Sequence, residues 1–234
     1  MRLLHNFSSS GCSFRMGLNH VAVVVVLGLL SVGESAPVTG CESLIKPMDV
    51  LERDQLLGKW TLLAESTNTP GAKSMTDFVV ESAWTLFTAA NESGVIDVFQ
   101  AEKMSGNCYT LKTKMTLENN TLSIGPPLNS SARLLSTGCP DCLVYATQYP
   151  MEESAYNGVQ LMSRRNNVTD AELREFRRQV GCLKLPPPVI LNQDKGLCPQ
   201  DSPQNTDLTN DFYGMSPEEL ETIFSGGDVM VEWT

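Results

Sequence analysis

Imidazole is nearly absent from this chain. Two histidines, His5 and His20, occur in 234 residues, and both lie within the first twenty. If that segment is removed, His-based acid–base catalysis, Ser-His and Cys-His nucleophiles and the commonest metal ligand are all excluded. Positive charge is scarce as well: 17 Lys and Arg stand against 27 Asp and Glu, a formal net charge of −10, with no basic block. A groove that neutralises phosphates needs clustered cations, so nucleic acid is not an expected partner. A membrane span takes about 20 apolar residues, and the apolar run Val21–Leu30 is roughly half as long. What the chain does have is 41% hydrophobic residues, enough to fill the core of one larger domain or two small ones.

The run Val21–Leu30 follows Arg15 and precedes Gly33, Ser35 and Ala36. A short apolar stretch with small residues behind it fits a secretory signal peptide, read here as residues 1–35 with cleavage near Ser35 or Ala36. Met16 is an alternative start, and a retained leader acting as a lipid-surface anchor is the rival reading. Of seven cysteines, Cys12 leaves with the leader and six remain, an even count that signals disulfides in an oxidising compartment. Four N-x-S/T sequons follow, at Asn91, Asn119, Asn129 and Asn167, each in a polar, turn-like stretch. A secreted, extracellular glycoprotein with no transmembrane segment in its mature form is therefore expected.

After an irregular arm over 37–53, short runs of period two are broken by polar turns. Strands are predicted at Lys59–Glu65, Asp77–Thr88, Val95–Ala101, Cys108–Glu118, Thr121–Ile124, Ala132–Thr137, Cys142–Gln148 and Gly158–Arg164. Eight strands at such spacing argue for an antiparallel meander that closes on itself or packs as a sandwich. Thr169-Asp170-Ala171-Glu172 fits a capping box, and Leu173, Phe176 and Val180 follow at helical spacing. Gly181 ends that helix and Pro186–Pro188 forbids its continuation. A last strand is predicted at Val189–Asn192. The tail, residues 200–234, is acidic and reads as flexible, with a weak helix starting at Ser216.

Gly58-Lys59-Trp60 opens the first strand, eight strands follow, and a helix comes after the last. This arrangement resembles the lipocalins, whose first strand carries Gly-x-Trp. Asp141 with Tyr145 looks like a remnant of the family's Thr-Asp-Tyr-x-x-Tyr, with Pro140 and Cys142 replacing the first Thr and Tyr. Ser163-Arg164 sits where the family places an Arg against the strand-one Trp. Cys108-Tyr109, Leu117–Thr121, Leu173-x-x-Phe176 and Cys182–Pro186 are similar to segments of the orosomucoid and apolipoprotein M group, which includes the fish lipocalins described as saxitoxin- and tetrodotoxin-binding. The resemblance covers Cys41–Pro199 and leaves the tail unexplained.

It implies a mainly β fold: an eight-stranded antiparallel up-and-down β-barrel with one C-terminal helix packed outside, over residues 36–199. It pairs Cys41 with Cys182 and Cys108 with Cys198. The remaining pair, Cys139 and Cys142, flanks Pro140-Asp141 between two strands, away from the helix N-terminus that a thioredoxin-type site needs. Two Cys supply half a zinc site and no His completes it, so a local structural disulfide is expected, with free thiols as the alternative. Gly58, Trp60 and Arg164 are expected to close the barrel, the guanidinium lying over the indole, with Arg165 as the alternative lid. The orosomucoid register points Phe87, Val98, Gln100, Glu102, Gln160 and Met162 into the cavity. Glu102 in a dry pocket would favour a cationic ligand.

The implied function is extracellular transport of a small hydrophobic or amphipathic molecule, without catalysis, cofactor or metal. The alternatives are an apolipoprotein-M-like lipid carrier held on lipoprotein by a retained leader, a lipocalin enzyme using a cavity thiol, and a module that binds protein partners through its acidic tail.

Overall fold

The computed structural model describes residues 40–48, 53–150 and 155–225. The expected leader and its cleavage point lie outside them, as does the end of the tail. Eight strands form the frame: β1 (Gly58–Thr67), β2 (Val80–Ala89), β3 (Val95–Met104), β4 (Asn107–Glu118), β5 (Thr121–Ile124), β6 (Ser130–Leu135), β7 (Cys142–Pro150) and β8 (Ala155–Ser163). Each pairs antiparallel with the next, and β8 returns to β1. The meander therefore closes into an eight-stranded up-and-down barrel, which leaves no long edge to aggregate.

Two departures from the predicted strands have physical causes. Residues 77 and 78 belong to a short helix between β1 and β2. Numbering helices in chain order gives α1 (Cys41–Leu44), α2 (Arg53–Leu56), α3 (Ala72–Phe78) and α4 (Asp170–Cys182), followed by α5 (Thr209–Gly214) and α6 (Pro217–Ser225). The polar stretch Asn68–Gly71 announces a turn, but α3 is too short to show a period. The second departure is a β-bulge in β1 between Leu62 and Ala64, which resets the alternation of inward and outward residues.

Helix α4 begins with the reciprocal bonds expected of Thr169 and Glu172: the Glu172 amide donates to the Thr169 hydroxyl and the Thr169 amide to the Glu172 carboxylate. It runs through Gly181 to Cys182, one turn position further than the glycine suggests. Phe176 and Val180 are buried with Ala64, Leu135, Val144, Val159 and Leu161 on the outer faces of β1, β6, β7 and β8. These strands are apolar on both faces because the helix covers the outer one. Buried Gln179 locks the arrangement, its Nε2 donating to the carbonyls of Leu44 and Ser136, each at 2.8 Å.

Three disulfides staple this frame. Cys41–Cys182 joins α1 to the end of α4, Cys108–Cys198 holds the chain after α4 against β4, and Cys139–Cys142 spans the turn between β6 and β7. The strand after α4 is two residues, β9 (Val189–Ile190), paired with β1.

Where the sequence suggests a flexible tail, the stretch around Thr206–Thr209 pairs with the barrel and two short helices follow. Strand β10 (Thr206–Asp207) pairs parallel with Tyr109 and Thr110 of β4. Strand β5 reaches β4 only at Thr116–Glu118, so the first half of β4 has donors and acceptors to spare. The tail takes them up: the Leu208 amide donates to the Thr110 carbonyl, and the Lys112 amide to the Thr209 hydroxyl. Lys112 Nζ also reaches Asp207 at 2.9 Å. Helix α6 starts at the predicted Ser216, which exchanges bonds with Glu219.

Candidate ligand site inside the barrel

The ladders fix which side chains face inward. Leu62 lies opposite Ala83 of β2 and Met162 of β8, and Phe87 opposite Val98. Gln100 is opposite Thr85, and Glu102 opposite Ala83 and Tyr109. Across the closure, Gln160 pairs with Glu65 and with Tyr145. By this register Phe87, Val98, Gln100, Glu102, Gln160 and Met162 all share the inner face, together with Glu65, Tyr109, Tyr145 and Tyr149.

The interior is divided by polarity. At one end Trp60, Leu62, Phe87, Ile96, Val98, Leu122, Leu134, Leu143 and Met162 form a packed apolar plug with Leu56. Gly58 enters it with φ +104°, where a Cβ would stand 2.7 Å from Arg164 Nη1. That close approach lets the Arg164 guanidinium lie 4.0 Å from the centre of the Trp60 ring while donating to the carbonyls of Gln55 and Leu57. The Trp60 indole N–H donates to the Leu56 carbonyl at 2.7 Å, so the ring is fixed on both its face and its edge. Arg165, the alternative lid, is engaged elsewhere, with Asp141 at 2.7 Å and Glu172 at 2.9 Å.

At the other end the inward side chains are polar and keep partial access to solvent, among them Glu65, Gln100, Glu102, Tyr145 and Gln160. They are intermediate in burial where the plug residues are buried. Gln160 Nε2 donates to Glu65 Oε2 at 3.0 Å, and the buried Thr76 hydroxyl of α3 donates to Glu65 Oε1. Helix α3 is thereby tied across the rim. Glu102 is raised to about 7, chiefly because its carboxyl is desolvated, with the Glu65 charge adding to the effect. Burial likewise raises the Tyr145 and Tyr149 phenols. Thr113, inward opposite Val98, has a buried hydroxyl with no hydrogen-bond partner.

Sequence reasoning missed Glu65. Strict alternation from Trp60 and Leu62 would place Ala64 and Ser66 inside, and the bulge brings Glu65 in instead. Nothing in the sequence marks that bulge. The six cysteines among the described residues are all in disulfides, so a cavity thiol is not found there. No helix among the described residues is long and apolar enough to cross a membrane.

No protein-family model matches the chain, and no curated protein sequence does. Solved structures do match it. A siderocalin, Ex-FABP, described as functioning through dual ligand specificities, aligns with TM-score 0.52 at 14% identity, over 65% of this chain and 99% of its own. Lipocalin 12 from rat epididymis aligns with TM-score 0.56 at 15% identity, over 68% of this chain and 93% of its own. Both neighbours are lipocalins, and the likeness at this identity is one of fold.

Proposed function

We propose that the protein is a secreted carrier of the orosomucoid and apolipoprotein M type, holding one small amphipathic molecule in its barrel. In this reading residues 1–35 are a cleaved leader and 36–199 the carrier domain. The observation that carries it is the division of the barrel interior: an apolar plug of Phe87, Val98 and Met162 below, and solvent-reaching Glu65, Gln100, Glu102 and Gln160 above. A ligand with an apolar body and a polar or cationic head matches both halves. Glu65 and Glu102 face one enclosure, and a ligand ammonium would pair with both. The inward tyrosines offer ring faces to the same charge.

The exposed positions of Asn91, Asn119, Asn129 and Asn167 and three disulfides support an extracellular setting. The test is titration of intrinsic Trp fluorescence with a lipophilic tertiary amine and with a neutral analogue of equal size. Saturable binding with preference for the amine is expected. No saturable binding of either, and nothing co-purifying by native mass spectrometry, refutes the carrier reading. Sequencing the N-terminus of the secreted protein checks the leader: a start near Ala36 supports cleavage, and retention of Val21–Leu30 supports a lipoprotein-bound form.

A further inference from the structure

A groove of about 330 Å³ lies outside the barrel, between the start of α4 and the segment after β9. Its floor is apolar, with Leu63, Leu173, Ile190 and Leu191, and its rim is polar, with Asn192 and Asp194. The sequon residue Asn167 is itself part of the lining. Ile190 is 41% exposed, one of few large apolar side chains so uncovered among the described residues. The backbone beneath is well anchored: the Leu191 amide donates to the Leu63 carbonyl at 3.0 Å, and Asn192 Oδ1 caps the following turn by accepting from the Asp194 amide. The groove therefore has a firm floor and an exposed apolar spot beside a polar edge.

We infer that the first sugar of an N-linked glycan on Asn167 folds back into this groove and covers Ile190. An N-acetylglucosamine ring suits the surface, because one face of the pyranose is C–H and its edge carries hydroxyls and an acetamide. The C–H face would lie on Ile190, and the polar edge would meet Asn192 and Asp194. The attachment point decides the occupant. A free sugar binds such a shallow site weakly, but a group tethered to the lining has an effective concentration on the order of millimolar or above. Thr169, which completes the sequon, is held as the N-cap of α4, so the position of Asn167 relative to the groove is fixed by that helix.

The inference rests on the secreted reading proposed above, and one experiment separates the two. The full chain is secreted from cells that add high-mannose glycans and is compared in three forms: intact, trimmed enzymatically to one sugar, and Asn167→Gln. Intact mass reports occupancy, and amide exchange is followed over 189–194. Exchange about tenfold slower in both glycosylated forms than in N167Q is expected, which corresponds to a groove filled about nine-tenths of the time. A variant Ile190→Ser should keep the glycan and lose the protection. Equal exchange in all three forms overturns the inference, as does protection that vanishes on trimming. Glycans on Asn91, Asn119 or Asn129 with a bare Asn167 overturn it while leaving the secreted reading intact. No glycan at any sequon overturns both.

Discussion

Replacing Glu102 with Gln tests the barrel interior from two directions. The carboxyl is raised from 4.5 to about 7, which at 1.36 kcal/mol per unit sets an upper bound of about 3 kcal/mol. Partial access of the residue to solvent makes the real figure smaller. Below the unfolded carboxyl's range both states hold the proton, and Glu102 costs nothing. Between about 4.5 and about 7 the unfolded chain has released its proton while the barrel still holds one, so stability falls as pH rises through that window. Above it the folded protein carries the full cost of a desolvated anion near Glu65. Glu102→Gln removes this slope: the variant should be more stable than the parent at pH 8 by up to about 3 kcal/mol, the advantage shrinking to nothing near pH 4. Urea unfolding of the disulfide-intact proteins at pH 4.5, 6 and 8 measures it. Binding supplies the second direction. If the ligand cation needs the ionised form, the carboxylate fraction drops from about 0.7 at pH 7.4 to about 0.02 at pH 5.4, an affinity loss of about thirtyfold that the Gln variant does not show. Parallel stability slopes in the two proteins, or equal loss of amine and neutral ligand in the variant, would refute the reasoning.

Other perturbations probe the frame. Gly58→Ala places a Cβ at positive φ and against Arg164, and should cost about 2 kcal/mol or more in urea unfolding, with altered Trp60 emission as the guanidinium is displaced. Cys41→Ser together with Cys182→Ser opens a closure of 141 residues and should cost about 5 kcal/mol in the chain-entropy account, whereas opening the three-residue separation of Cys139 and Cys142 should cost about 2. Equal shifts in melting temperature for the two double variants would contradict that ranking. Gln179→Leu fits the volume but strands the Leu44 and Ser136 carbonyls, and a loss of about 2 kcal/mol is expected by thermal unfolding.

Much of the barrel was legible because its signals are local and strong. Period-two runs located all eight strands, and Thr121–Ile124 matches its predicted bounds. The capping box of α4 and the Ser216 start of α6 were visible because a cap is written in four adjacent residues. Helix α3 was not, since seven residues between two strands are too few to show a helical stripe. The pairing of the tail was not legible, for a different reason. The strand Thr206–Asp207 depends on a partner, the half-paired edge of β4, and composition carries no information about which edge is left open.

The interior shows the same division. Phe87 through Glu102 could be assigned to one face because β2 and β3 pair without interruption from Ser82 to Ala89. Glu65 could not, because the Leu62/Ala64 bulge flips every residue after it and the bulge is set by contacts with β8, not by β1 alone. That single slip decides the chemistry of the enclosure. With Ala64 inward, Glu102 would be a lone carboxyl that could stay neutral by keeping its proton. With Glu65 inward, two carboxyls share one space, and Glu65 already receives Thr76 and Gln160. Glu102 is raised chiefly by its own burial, and the charge of the neighbouring Glu65 adds to that rise. A ligand bearing one positive charge relieves both at once, whereas a neutral ligand leaves the repulsion in place. On the proposed carrier reading, a preference for a cation would reside in the pair, and it would arise from a backbone irregularity three residues after the barrel-closing tryptophan.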